Sequence, residues 1–447
     1  MDKEDFWRRS WCTAISPLLK LWIVGSYTVP KRIPASLCVR CKGYKKLCGL
    51  TSCPILDRFR AQVSSVTKLG PRPLELQGST PPSLVVGEQG YPKVPILFNV
   101  PPQVYGEDAK TYDYPLLWWA QRYSLRKIIE LRSYLVSSIL KFHIKDPWKL
   151  YEKELSIAAI SVKPTDSEVK LQKPPIPQLS FDGILAPHGP SAPASSVRIV
   201  SNPKPPRVLE KLVWDDVKAS EAVWLLYKEK VDFYTIVRAF SLGLLGVKRN
   251  RRLVPTRWAI TAVDSAIAAK LLENVKSEDK VVDYIEVYNA SYLGNRFTII
   301  LFPGPYRLEM VEIWHPFTVW TQNTKQPILH WVREDRPNRF TEIDGGFMAA
   351  RLSVIEHLAK RRRQATVLII REITPDYYAP VGNWHIRLTT AHALSQPILK
   401  SNDVKEVVKV LSAKIRDDRL LNTIIKTSKV FNNLYAQRKL DHYFRTG

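Results

Sequence analysis

Val281-Val282-Asp283-Tyr284-Ile285-Glu286-Val287-Tyr288, Arg296-Phe297-Thr298-Ile299-Ile300-Leu301-Phe302 and Glu309-Met310-Val311-Glu312-Ile313-Trp314 decide how the second half of the chain is read. All three runs are rich in β-branched and aromatic side chains. Turn chemistry separates them, with Leu293-Gly294-Asn295 before the second and Pro303-Gly304-Pro305 before the third. Short apolar runs bounded in this way are strands, and the brief turns predict an antiparallel meander. Outward from the strands the hydrophobic period changes from two to about 3.6. Residues 208–246 read as two helices. Residues 257–275 read as another, since Ala259, Ile260, Val263, Ile267 and Leu271 form one stripe. Downstream, a helix over 347–360 leads through Lys360-Arg361-Arg362-Arg363 into a strand at Ala365–Glu372. One or two helices follow at about 403–435. Residues 208–436 are thus expected to form one α+β domain with an antiparallel sheet and helices.

Upstream the pattern is looser. From Lys163 to Pro206 there are ten prolines among Ser, Gly and Ala. Proline lacks the N–H that a ladder or helix needs, so 163–207 reads as an extended connecting segment. Residues 1–162 read as an N-terminal domain of mixed helical character. It carries a cysteine module at 36–58, a loop-rich stretch to about 110, and one helix from Leu116 to about Ile139. No internal repeat is evident.

Charge narrows the function. Lys and Arg total 67 against 42 Asp and Glu, a formal +25. Such a surface attracts polyanions, either nucleic acid or an acidic membrane face. No apolar run approaches the roughly 20 residues of a bilayer span. The start Met1-Asp2-Lys3-Glu4-Asp5 lacks a secretory n-region. The expected location is the cytoplasm, with no membrane partner.

Four of the five cysteines, Cys38, Cys41, Cys48 and Cys53, crowd together as C-x2-C-x6-C-x4-C. In a reducing compartment such clustering indicates a metal. Four thiolates converging at about 2.3 Å close a tetrahedral zinc site. With no open position its role is structural, and the predicted cofactor is Zn²⁺. An iron–sulfur cluster uses the same ligands, and a disulfide pair is the remaining alternative. Arg40, Lys42, Lys45 and Lys46 would offset the negative charge.

The chain ends Gln437-Arg438-Lys439-Leu440-Asp441-His442-Tyr443-Phe444-Arg445-Thr446-Gly447. One helical turn puts Leu440, Tyr443 and Phe444 on one side as an apolar plug, with the Gln437 amide at its rim. This resembles the PIP box by which replication and repair proteins dock on the PCNA sliding clamp, so 437–447 is assigned as a clamp-binding peptide. A helix end packed on its own domain is the alternative.

Several interior stretches complete a resemblance. They are Lys248 through Asp264, Gly189-Pro190-Ser191-Ala192-Pro193, Phe302 through Met310, and Arg371-Glu372-Ile373 with Pro380-Val381-Gly382. Together with the cysteine quartet and the terminal peptide, these make the chain resemble the Nre family of archaeal DNA-repair proteins. That resemblance implies a part in the DNA-damage response alongside the sliding clamp. It brings no catalytic mechanism. Tyr443 stands where many clamp peptides have Phe.

Candidate nucleic-acid contacts are Arg122, Arg126 and Lys127 beside Trp118-Trp119, then Lys248, Arg249, Arg251 and Arg252 near Trp258, and Arg361, Arg362 and Arg363. Cations would neutralise phosphates, and an open indole could stack on an unpaired base. The chain has no phosphate loop, dinucleotide fingerprint or nucleophile elbow. Glu309 and Glu312 lie three apart on a strand and so face opposite ways. Arg257, Asp264 and Glu309 are the candidates for a pocket in the C-terminal domain, with structural ion pairing as the alternative. Two function classes follow: a non-enzymatic repair factor on the clamp that contacts DNA, or an enzyme acting on damaged DNA or nucleotides. An RNA-binding role is a third.

Overall fold

The computed structural model describes residues 41, 45, 47, 53–178, 188–316, 318, 321, 324–415 and 417–432. After helix α1 (Pro54–Thr67) the chain enters a six-stranded sheet made of β1 (Glu75–Thr80), β2 (Leu84–Val86), β3 (Lys93–Val100), β4 (Val136–His143), β5 (Thr165–Leu171) and β6 (Ser191–Ile199). The strand order is β1-β5-β6-β4-β3-β2, antiparallel throughout except for the parallel pair β4 and β6. Three expectations are corrected here. First, the loop-rich stretch before 110 holds β1 to β3. In β3, Val94, Ile96, Phe98 and Val100 are fully buried, a period of two that Pro92 and Pro95 obscured. Second, the helix expected over 116–139 is two short helices, α2 (Pro115–Ala120) and α3 (Leu125–Tyr134), followed by β4. The break falls at Arg122, whose φ is 52°, and Ser124 caps the restart by accepting from the Lys127 N–H at 3.3 Å.

Third, the proline-rich stretch is not a sheet-free connection, because β5 and β6 are inner strands. The prolines flank these strands and do not interrupt them: Pro164 precedes β5, Pro174, Pro175 and Pro177 follow it, and Pro203, Pro205 and Pro206 follow β6. Among the described prolines of this stretch, Pro193 alone sits in a ladder, opposite Ile139. Gly189 explains its own identity. A β-carbon there would lie 1.7 Å from the Leu135 carbonyl oxygen, so the backbone can enter β6 only without a side chain. Two short helices, α4 (Pro147–Glu152) and α5 (Leu155–Ala159), link β4 to β5.

Three helices, not the two expected, occupy the next stretch: α6 (Arg207–Trp214), α7 (Ala219–Lys228) and α8 (Phe233–Ser241). The long α9 (Thr256–Lys276) follows. A seven-stranded sheet comes next, containing β7 (Ile285–Tyr292), β8 (Asn295–Phe302), β9 (Arg307–Trp314), β10 (Ile328–Arg336) and β11 (Arg339–Phe340). Beyond helix α10 (Gly345–Arg361) it adds β12 (Thr366–Ile373) and, after α11 (Trp384–Ala393), β13 (Leu399–Ser401). Helices α12 (Val404–Ile415) and α13 (Asp418–Thr427) follow, and the described chain runs on to Asn432. The hairpin β7–β8 turns on Leu293 and Gly294, both at positive φ, as a two-residue hairpin requires.

The meander ends at that hairpin. The sheet order is β11-β10-β9-β12-β8-β7-β13, with β12 inserted between β8 and β9, antiparallel to the first and parallel to the second. The unbroken apolar run Val367–Ile370 is the mark of a strand covered on both faces. One face, with Phe297, Ile299, Leu301 and Ile369, joins the large core that includes α9 and α10 and extends through Ala192 of β6 to Val94 and Ile96 of β3. The other face, with Ile300, Phe302, Leu368 and Ile370, is covered by α12 and α13. Trp118, Ile128 and Ile129 of α2 and α3 form a third cluster with Tyr292, Ile373 and Trp384, seating the N-terminal helices on the second sheet. Trp118 is therefore core. No helix among the described residues is long and apolar enough to cross a membrane.

Candidate functional site

The three residues proposed for a pocket go to three separate places. Arg257 opens α9 with its side chain 83% exposed and 3.8 Å from Glu88. Glu309 on β9 is buried and accepts from the Arg333 Nε at 3.2 Å, the Ser428 hydroxyl at 2.7 Å and the Lys429 N–H at 3.0 Å. It fastens the segment after α13 to the sheet. Asp264 lies under a bidentate contact with Arg387, whose Nε donates to Oδ1 at 3.1 Å. No hydrogen bond or ion pair among the described residues joins any two of the three.

Asp264 nevertheless stands behind a cavity. A depression of about 440 Å³ lies between α7, α8, α10 and α11, lined by Tyr227, Lys228, Lys230, Phe233, Glu356 and Arg387 among others. The Arg387 guanidinium lies 3.8 Å from the centre of the Phe233 ring. Burial opposes its charge, but Asp264 outweighs that and holds Arg387 above the usual arginine value. Burial raises the Glu356 carboxyl too, and for an acid that favours the neutral form; it accepts from the Tyr227 hydroxyl at 2.7 Å. The cavity thus offers a fixed cation, a carboxyl biased toward its neutral form, and two lysines. Such a lining is suited to binding a ligand that carries negative charge. Asp264 acts on this lining by positioning Arg387 and by adding to the rise of Glu356.

Polar contacts also fix two of the family-like stretches in place. Arg371 on β12 pairs with Glu312 and donates from Nε to Asn295 at 2.9 Å. The His385 Nδ1–H donates to the Gly382 carbonyl at 2.7 Å, while the Trp384 indole N–H donates to the Val381 carbonyl at 2.6 Å. Asn295, Glu356, His385 and Arg387 were not singled out from sequence. Each acquires its meaning only from a partner distant along the chain, or from burial.

The nucleic-acid candidates divide sharply. Arg251 is corrected to a structural role. It is 3% exposed and donates to the carbonyls of Gly246 at 2.8 Å, Val213 at 2.6 Å and Asp215 at 2.6 Å. Arg361, Arg362 and Arg363 are each matched by an acid, namely Glu286, Glu278 and Asp283. They close the end of α10 onto β7 and its approach. Arg122 lies over the rings of Trp119 and Tyr292 at 4.6 and 4.5 Å. Arg126 reaches Asp57 at 3.6 Å and Lys127 reaches Glu130 at 3.5 Å. Arg252 donates to the carbonyls of Arg249 and Arg251. Lys248 and Arg249 remain exposed, with no side-chain partner among the described residues.

Of the cysteines, Cys38 and Cys48 lie outside the described residues, as do Gln437, Leu440, Tyr443 and Phe444. Cys41 is buried, and its carbonyl accepts from the Lys45 N–H at 3.2 Å. Cys53 is the N-cap of α1. A buried thiol and a thiol at a helix N-terminus are both compatible with a thiolate metal site.

A model of the archaeal Nre N-terminal region matches residues 47–321, and one of the Nre C-terminal region matches 333–443. The chain belongs to the Nre family. It is 36% identical to the DNA repair protein NreA of Archaeoglobus fulgidus over 80% of this chain and 88% of that one. It is 36% identical to NreB of the same organism over 78% and 86%, and 33% identical to NreA of Haloferax volcanii over 78% and 86%. No solved structure matches. The Nre N-terminal match ends after β9 and the C-terminal match begins within β10, so the seam runs through one sheet. Strand β12 of the C-terminal Nre region lies between β8 and β9 of the N-terminal one. The two Nre regions therefore share this sheet and its two apolar faces.

Proposed function

We propose that this Nre protein is a DNA-repair factor that docks on the PCNA sliding clamp through Gln437, Leu440, Tyr443 and Phe444 and contacts DNA. Kinship carries the reading: relatives matched over most of their length are named DNA repair proteins. The formal +25 charge suits a DNA partner, and the terminal pattern supports the clamp. Calorimetric titration into PCNA tests it. The intact chain is expected to bind in the micromolar range, roughly −8 kcal/mol. A chain truncated before Gln437 and the Leu440→Ala/Phe444→Ala variant should show no heat of binding. Equal binding by all three would remove the tail from the reading.

Within the same proposal, Cys38, Cys41, Cys48 and Cys53 hold a structural Zn²⁺ ion, which would tie the start of α1 to the segment before it. Metal analysis of the purified chain is expected to give about one zinc per chain, lost on Cys38→Ser/Cys48→Ser substitution. Iron with a visible charge-transfer band would instead assign an iron–sulfur cluster. A second reading, an enzyme acting on damaged DNA or nucleotides, rests on the cavity beside Arg387. Turnover of a lesion-bearing oligonucleotide by the intact chain would move the assignment there.

A further inference from the structure

An aromatic surface formed by α4 and α6 has no part in the docking described above. Trp214, the last residue of α6, is 59% exposed. Leaving so large an apolar ring in water forgoes much of the stabilisation its burial would bring. Yet the ring is held in place. It stacks on Trp148 of α4 with centroids 5.5 Å apart and planes at 23°, and Tyr151 sets its edge against both rings. Beneath them, the buried Arg251 lies 5.6 Å from the Trp148 ring and donates to the carbonyls of Val213 and Asp215, the residues on either side of Trp214. The indole is thus fixed from below by its stacking partners and at its backbone on both sides.

Free cations stand beside it. The short 3₁₀ turn Lys248–Asn250 is tied to the residues after α6, since the Lys248 N–H donates to the Asp216 carboxylate at 2.6 Å. This tether fastens the turn that carries Lys248 and Arg249 at a point two residues beyond Trp214. Both are exposed, and neither side chain has a partner among the described residues. Lys211, one helical turn before Trp214, is also exposed. The exposed acids here are Glu152 at the end of α4, and Glu210, Asp215 and Asp216. Asp215 accepts from the Asp216 N–H and Asp216 from the Lys248 N–H.

We propose that Trp214, backed by Trp148 and Tyr151, is a stacking platform for an unpaired base of single-stranded DNA, with Lys248 and Arg249 binding the flanking phosphates. A flat, preorganised ring face with unpaired cations at its edge matches the chemistry of a nucleotide whose base is out of the helix. A duplex offers no such face, because its bases are already stacked. The inference rests on the DNA-contacting part of the proposed function and adds the place and the strandedness.

Fluorescence anisotropy with the full chain tests it, using labelled oligo(dT), a duplex of the same length and oligo(rU). Trp214→Ala is expected to weaken oligo(dT) binding roughly tenfold while changing duplex binding far less, and Trp214→Phe should keep most of the affinity. Lys248→Glu/Arg249→Glu should weaken binding and flatten its salt dependence. Unchanged oligo(dT) binding by Trp214→Ala overturns the platform and leaves the repair reading standing. An equal loss on duplex overturns the stacking role. Tighter, Trp214-dependent binding of oligo(rU) overturns the assignment to DNA. No binding of any nucleic acid by the intact chain overturns the DNA-contacting reading as well.

Discussion

Arg351→Met is expected to lower the free energy of unfolding by roughly 3–5 kcal/mol. Arg351 of α10 and Glu334 of β10 are both fully buried. The guanidinium donates from Nε and Nη2 to the two carboxylate oxygens at 2.7 and 2.8 Å, and Nη2 also reaches Asn338 at 2.9 Å. Glu334 accepts in addition from the Tyr306 hydroxyl at 2.8 Å and the Asn338 N–H at 2.6 Å. Removing the arginine leaves a carboxylate in the core with its Tyr306 and Asn338 hydrogen bonds but without the two from Arg351 or its counter-charge. The cost is that of an unpaired buried charge, much more than the net worth of the pair. Adding Glu334→Gln removes the charge, keeps one acceptor oxygen for the Asn338 N–H, and puts an amide NH2 where the Tyr306 hydroxyl can turn to accept from it. The double variant should therefore recover about half of the loss. Denaturant unfolding of both variants measures this. A single-variant loss below about 1 kcal/mol would show that Glu334 is not desolvated as its burial implies.

Stability is expected to fall as pH drops from about 6.5 toward 5, with histidine as the cause. Burial pushes His385 down to about 3, with Arg371 adding repulsion, and burial with Arg361 holds His357 at about 4. Geometry agrees. His385 spends its Nδ1–H on the Gly382 carbonyl, and its buried Nε2 has no partner among the described residues. A second proton there would be charged and unaccepted. The Nε2 of His357 accepts from the Arg361 Nη1 at 3.2 Å, which a protonated ring cannot do. Both rings are neutral when folded and take up a proton on unfolding below the free-histidine value of about 6.5. The unfolded chain therefore binds more protons, and each histidine contributes a slope of up to about 1.4 kcal/mol per pH unit. His357→Gln should flatten the fall between pH 6.5 and 5, and His385→Asn should flatten it further while costing ring packing at every pH. A slope identical to the parent in both variants would assign acid lability elsewhere. His330 works in the opposite sense. Its contact with Glu342 raises it to about 9, so what it adds is present below 6.5 and lost as pH rises toward 9. The contact is partly open to solvent, which keeps that contribution small.

The candidate sites were legible to very different degrees. Asp264 was a pocket candidate from sequence and is buried in an ion pair. Its partner Arg387 could not be read, because the pairing joins residues far apart along the chain. Arg251 looked like its neighbours Lys248 and Arg249 in a basic run. Only burial separates the one spent on backbone carbonyls from the two left facing water. Trp118 and Trp214 reverse in the same way: the tryptophan beside a basic helix is core, and one with no motif around it is the exposed ring.

What the sequence alone determined is what local chemistry can carry. Turn residues and apolar alternation placed β7, β8, β9, α9, α10 and β12, and the accumulated motifs identified the Nre family. The alternating residues of β3 were equally plain, but the surrounding prolines outvoted them in a reading that scores residues by type. Tertiary structure alone decided that β12 threads between β8 and β9, that β5 and β6 are inner strands, and which of the many cations stay free. Those outcomes depend on which surfaces meet and exclude water. A short window of sequence holds only one side of each such meeting.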